Sequence, residues 1–504
     1  MSSNWDQLLH KLNLISDLKE TASLLAWDQQ TMMPPNGATA RSQKLATIEH
    51  ISHKLLTDSA IGSLLKNLRH EACRLDPNSK NASLWRITDR HYRRALKVPS
   101  ELVTQIASCA SEAFDAWIKA RAADDFGQFK PYLKRQICLQ RRQAEALGYD
   151  ESPYDALLDL YEPGLTSSIT DRIFGHMRTG IVELLQEIHT KGADIDDSLL
   201  KGTFCPTKQM DLADTLVQWI GYDMSGGRLD RSAHPFSTRI GRGDARITIR
   251  TKPETLSEVI FAALHEGGHA IHDQGIPKEL SRSPLSGCES LSIAESQSRL
   301  WENLFGRSEI VAPHLLHHLQ SHFPERFADV TPKELYLASN KVEPGYIRVN
   351  ADEVTYGLHI ILRFQIEKEL IEGALEVDDL PDRWWSLMKA LLGLSPATDS
   401  SGVLQDVHWA SGYFGYFPTY TLGTILSQQL FEKAISDYPE ITSEMRAGRS
   451  DSLLAWMRKH VHNHGSKWSA LQLAEQELSS QIDPTPYIQY LSKKYRTLYT
   501  IPSE

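Results

Sequence analysis

His265 and His269 stand four residues apart in FAALHEGGHA, Phe261 to Ala270. On a helix that spacing puts both imidazoles on one face, roughly 5–6 Å apart at Cβ. Both rings can then reach one metal ion at about 2.0–2.1 Å. Glu266 follows the first histidine and can lean over the open side of the ion, where it can take a proton from water. This is the chemistry of a metal-dependent hydrolase. Chance is the plain alternative in a chain with 20 histidines, so the reading needs a third ligand.

Glu295 is the candidate, 26 residues after His269 at the start of a further helical segment. Two histidines and one glutamate leave a fourth position for water, as a catalytic rather than a structural site requires. The alternative is a capping role for Glu295 close to Ser292. Downstream, Arg348 lies in PGYIRVNADE (Pro344–Glu353) and could clamp a carboxylate bidentately, although most arginines are surface residues. Two more segments follow, GVLQDVHW (Gly402–Trp409), which carries His408, and GYFGYFPTYTLG (Gly412–Gly423), which is dense in tyrosines. One such side chain near a metal could donate to the oxyanion that forms as water attacks. In a core the tyrosines would still need hydroxyl partners.

These residues need a rigid frame, and the pattern predicts helices for it. Thr255 with Glu258 reads as a capping box, and Leu256, Val259, Ile260, Ala263 and Leu264 form an apolar stripe. Gly267 and Gly268 weaken that helix by roughly 1 kcal/mol each, which points to a close approach of backbone or substrate. Gly275 and Pro277 end it. Just upstream, Ala245, Ile247 and Ile249 alternate with Arg246, Thr248 and Arg250 after the turn residues Gly241–Asp244. That pattern predicts a small antiparallel sheet, either an edge where an extended peptide pairs or an ordinary hairpin. The first 220 residues read as almost wholly helical, starting with Trp5, Leu8, Leu9, Leu12 and Ile15. MMPPNGATA (Met32–Ala40) reads as a turn, and Asp150–Pro163 and Pro277–Gly287 as irregular connections. Helices resume over Leu358–Ile371, Trp384–Leu392, Thr421–Ile435 and Leu454–Val461.

Composition sets outer limits. The 504 residues, 41% hydrophobic, can bury a large core. A net charge of −10 argues against nucleic acid as a partner, because phosphate binding needs a basic face. Five cysteines without CxxC spacing favour reduced thiols in a cytoplasmic setting. No charged-then-apolar leader opens the chain and no run of about 18 apolar residues occurs, so no membrane partner is expected.

Over its whole length the sequence resembles the carboxypeptidase Taq family of metallocarboxypeptidases. The resemblance rests on LLAWDQQTMMPPNGATAR (Leu24–Arg41), HPFS from His234, DARIT (Asp244–Thr248) and HEGGH. It continues through ESQSRLWEN (Glu295–Asn303), IRVNA (Ile347–Ala351) and GVLQDVHW. It implies a mainly α, elongated, neurolysin-like fold with a deep groove between two lobes and a small antiparallel sheet beside the active site. The whole chain, residues 1–504, would be one catalytic unit and usually a homodimer. The resemblance further implies one Zn2+ or Co2+ per chain on His265, His269 and Glu295, with Glu266 as general base. Arg348 would hold the carboxylate of a peptide substrate. By likeness to related helical peptidases, Tyr416 would stabilise the oxyanion, with His408 as a second donor and Tyr420 in reserve. The family's usual His-Glu-Ser-Gln reads Ala294-Glu-Ser-Gln here, which bears on what orients the ligand rather than on the ligand. The rival readings are an endo-oligopeptidase without the Arg348 clamp and a catalytically silent peptide-binding protein.

Overall fold

The computed structural model describes residues 3–502. The chain forms two compact units, each built from three separated segments. The first comprises Met1–Leu96, Asp196–Ser339 and Leu430–Leu478, and the second Lys97–Ile195, Asn340–Gln429 and Ser479–Glu504.

The first unit begins with a helix over Asn4–Thr31, whose start is fixed by a capping box between Ser3 and Asp6. Leu8, Leu12 and Ile15 recur at helical spacing and face Ile61, Leu64, Leu65 and Leu68 from the helix Ser59–Ala72. Ile276, Leu280 and Leu285, just beyond the HEGGH helix, close the same core. That helix runs over Ser257–Gly275 and buries Val259, Ile260, Ala263 and Leu264, the predicted stripe. Its predicted capping box does not form. Glu258 turns back to Arg250 and Lys252, and Thr255 Oγ1 accepts from the Ser257 backbone N–H instead. Two cations compete successfully for the carboxylate that would have closed the box.

The predicted strand is present as β3 (Asp244–Ile249), with β1 (Gly227–Arg231) and β2 (Phe236–Gly241) in the order β1-β3-β2. The sheet is mixed, which corrects the expected antiparallel one. β2 and β3 form a hairpin through Arg242 and Gly243 and are antiparallel, whereas β3 inserts beside β1 and runs parallel to it. β3 is therefore central, with Ala245, Ile247 and Ile249 buried, and cannot be an edge for an incoming peptide. Its alternation was legible, but its neighbours were not.

In the second unit the helix Tyr356–Glu372 is buried nearly all round, and carries Arg363 and Glu367 into the interior with Leu358, Ile360 and Leu362. Helices Ser100–Ala123, Phe126–Leu147 and Ser167–Lys191 supply much of the rest. The Asp150–Pro163 connection is less irregular than expected, because Ser152 caps a short helix over Pro153–Leu158. Among the described residues no helix is long and apolar enough to cross a membrane.

Candidate active site

The HEGGH helix and the helix Leu291–Arg299 bring His265, His269 and Glu295 together. One ligand atom from each lies within 4.8 Å of the others. Glu295 Oε2 stands 3.7 Å from His265 Nε2 and 3.6 Å from His269 Nε2, so a single carboxylate oxygen faces both rings. The two rings stand edge to face, centroids 5.0 Å apart. Gly268 explains how the second helix comes so close. A Cβ there would sit 2.7 Å from Gln297 O and 2.9 Å from Ser298 Cα. The helix-weakening glycine marks an approach of backbone to backbone.

Glu295 is aimed by its own helix. Arg299 Nε donates to Oε1 at 2.7 Å, which leaves Oε2 for the histidines, and Ser298 Oγ donates to Oε2 at 3.2 Å. Glu302 extends the arrangement, since His265 Nδ1 donates to its Oε2 at 2.8 Å and fixes Nε2 as the nitrogen turned to Glu295. Arg299 Nη1 donates to the same Glu302 oxygen at 3.1 Å, and Arg307 approaches the other at 3.7 Å. A π-helical segment over Leu300–Phe305 carries Glu302. Sequence reasoning missed Arg299 and Glu302, although both stand in ESQSRLWEN, four and seven residues after Glu295 on its helical face. These contacts orient Glu295 where residue 294 is an alanine.

Burial and charge set the protonation of the group. Burial draws His269 down to about 3, helped by the charge of His265, so its imidazole is neutral as a ligand must be. His265 is raised: burial opposes its charge, but Glu295 and Glu302 outweigh that. Glu302 falls to about 2 despite burial, because Arg299 and His265 face it. Burial pushes Glu266 up to about 7, opposed by His265 and by the Ser237 backbone N–H, and reinforced by Glu295 and Glu302. A divalent cation on the three ligands would pull it down again. Three mixed N/O donors, two of them imidazoles, suit a divalent metal ion.

The remaining predicted residues lie in the second unit. Arg348 is buried in a short turn, with Nε and Nη2 on Asp406 Oδ1 at 3.0 and 2.8 Å and Nη1 on the Tyr356 hydroxyl at 3.1 Å. Asp406 also accepts from Arg363 Nε at 2.7 Å. His408 Nε2 meets the Tyr420 hydroxyl at 3.2 Å, and burial draws His408 down to about 3, so its imidazole is neutral. Tyr416 packs between Tyr161, Tyr413, His408 and Tyr420, with centroids 5.1, 6.0, 5.4 and 5.3 Å away. The Arg348 guanidinium lies 5.2 Å from the Tyr420 ring. Arg348, His408, Tyr416 and Tyr420 thus form one polar-aromatic cluster, joined by Asp406 and Arg363, which the sequence did not single out.

Known proteins place the chain. The family description "Carboxypeptidase Taq (M32) metallopeptidase" matches residues 7–495. Thermostable carboxypeptidase 1 of Thermus thermophilus is 39% identical over 509 residues, covering 97% of this chain and 98% of that protein. Carboxypeptidase 1 of Bacillus subtilis is 36% identical over 490 residues, 97% of each. The solved structure of a Pyrococcus furiosus carboxypeptidase superposes with a TM-score of 0.94 at 34% identity, over 98% of this chain and 99% of that one. The chain belongs to the carboxypeptidase Taq (M32) family and is a metallocarboxypeptidase, a hydrolase of peptide bonds.

Proposed function

We propose that the chain removes residues one at a time from the C-termini of peptides, with broad specificity and with residues 1–504 working as one catalytic unit. The observation that carries the reading is the convergence of His265 Nε2 and His269 Nε2 on Glu295 Oε2, with Glu266 between the histidines on the same helix. One divalent ion per chain, Zn2+ or Co2+, held by His265, His269 and Glu295 would act as a Lewis acid and lower the pKa of a water molecule.

The side chains supply the rest. Glu266 takes a proton from water as it attacks the last peptide bond, and later passes it to the leaving amine. Arg348 holds the terminal carboxylate, because a guanidinium matches it bidentately. Tyr416 donates to the developing oxyanion, His408 is a second donor, and Tyr420, bonded to His408, is the reserve. Glu302 and Arg299 keep His265 and Glu295 turned to the ion. A homodimer in a cytoplasmic, reducing setting completes the proposal, and the five free cysteines suit that setting.

A mass-spectrometric time course on one peptide, free or amidated at its C-terminus, tests the activity. The proposal requires a ladder from the free C-terminus and little change in the amide. Internal cuts in both peptides would favour an endo-oligopeptidase, and no change in either a silent binding protein. Elemental analysis and light scattering test the ion and the dimer.

A further inference from the structure

Behind Arg348 lies a second guanidinium that cannot touch a substrate. Arg363 is fully buried, at 0% exposure, on the helix Tyr356–Glu372. Its Nε donates to Asp406 Oδ2 at 2.7 Å, its Nη2 lies 2.6 Å from the same oxygen, and its Nη1 donates to His359 O at 2.7 Å. Arg348 takes the other oxygen of the same carboxylate. Arginine stays charged at any ordinary pH, so two cations share one anion in direct contact. The Phe417 ring lies near both, 5.6 Å from one guanidinium and 5.4 Å from the other. The next carboxylate along the helix, Glu367, receives Tyr154, Trp409 and the Gly415 backbone N–H rather than an arginine.

A buried salt bridge that served stability alone would need one cation per anion, because each extra desolvated charge costs several kcal/mol. Here the contact set carries one positive charge in excess. We infer that Arg363 is a positioning residue for substrate selection: it neutralises Asp406 from behind, so that Arg348 meets the substrate as a cation whose charge is not cancelled by its own partner. This rests on the reading that Arg348 holds the terminal carboxylate. With Arg363 absent, the Arg348–Asp406 pair would be neutral and would attract a carboxylate weakly. With it present, the incoming carboxylate completes a set of two cations and two anions.

The experiment uses the metal-loaded full chain and two peptides that differ only in a free or amidated C-terminus. The readout is the ratio of their kcat/KM values, with kcat and KM resolved. Arg348→Ala is the control on the underlying reading and must collapse the ratio; an unchanged ratio there removes the clamp itself, whatever Arg363 does. Arg363→Met is expected to lower the ratio by about tenfold or more through KM of the free peptide, and Arg363→Lys to keep it within about threefold of wild type. Should the methionine variant fail to fold, the Asp406→Asn/Arg363→Met pair carries the test. It removes one charge of each sign, keeps an accepting oxygen for Arg348, and must hold the ratio within about threefold of wild type. Equal losses on both peptides, a lysine variant as poor as methionine, or a collapsed ratio in the double variant would overturn the inference. Each would mean that the shape of Arg363 matters and its charge does not.

Discussion

The Nδ1–H of His265 points at Glu302 Oε2 across 2.8 Å, so the orientation of the first histidine is decided by a residue 37 positions downstream. That contact fixes the tautomer and the ring plane together. Glu302→Gln keeps an accepting oxygen but loses the charge that also holds Arg299 at 3.1 Å. Metal affinity should fall by roughly 10–100-fold, read by competition with a chromogenic chelator. Equal affinity in the two proteins would leave Glu302 with no part in the site.

Glu266→Gln separates binding from chemistry. The amide keeps the size of the side chain and leaves both histidine rings untouched. Metal content should match the wild type while turnover drops by at least about 100-fold, the low end for general-base catalysis. Elemental analysis beside a peptide assay decides it, and an active Gln variant would disqualify Glu266 as the base.

Gly268→Ala tests the close approach of the two ligand-bearing helices. The new methyl would meet Gln297 O at 2.7 Å and Ser298 Cα at 2.9 Å, both backbone atoms that cannot rotate away. Overpacking of this kind costs about 1–3 kcal/mol, seen as a lower urea midpoint. Glu295 rides on the displaced helix, so metal binding should weaken as well. A variant that lost stability yet bound metal normally would show that the two helices can part without moving the ligand.

Sequence period made the helices legible, because Leu8, Leu12 and Ile15 or Val259, Ile260 and Ala263 need only local spacing to declare a face. The pairing of His265 with His269 on one helical face was legible for the same reason, and the fold brings Glu295, 26 residues further on, beside them. What stayed hidden depends on contacts that helical or strand spacing does not encode. Nothing near Glu258 announces that Arg250 and Lys252 will take it from Thr255, and nothing in β3 announces a parallel neighbour at Gly227–Arg231. Asp406 stood in a motif already singled out, but its double duty needs Arg348 and Arg363, 58 and 43 residues away.

Glu367 links stability to pH. Burial pushes its carboxyl from the usual 4.5 up to about 7, against the Gly415 N–H, Tyr154, Trp409 and the charge of Arg363. Between about pH 4.5 and 7 the folded chain keeps a proton that the unfolded chain has released, so this group's contribution falls as pH rises through that window and is level outside it. Glu367→Gln sets an amide N–H among three donors, which costs about 1–3 kcal/mol at any pH. The gap between wild type and variant should therefore be widest near the lower end of the window and narrow toward its upper end. Urea midpoints of both proteins across the window measure it, and a constant gap would mean that Glu367 is ionised throughout.

The three-segment construction of the first unit sets the order of events as the chain is made. His265, His269 and Glu295 have all left the ribosome long before Leu430–Leu478, the last segment of their unit. That segment brings His462, whose Nε2 meets Gln297 Oε1 at 3.0 Å on the helix of Glu295, and whose ring lies 5.1 Å from that of His272 on the HEGGH helix. A nascent chain thus exposes His265, His269 and Glu295 with no finished wall behind them. A fragment cut before residue 430 would carry the whole motif without the segment that packs behind it.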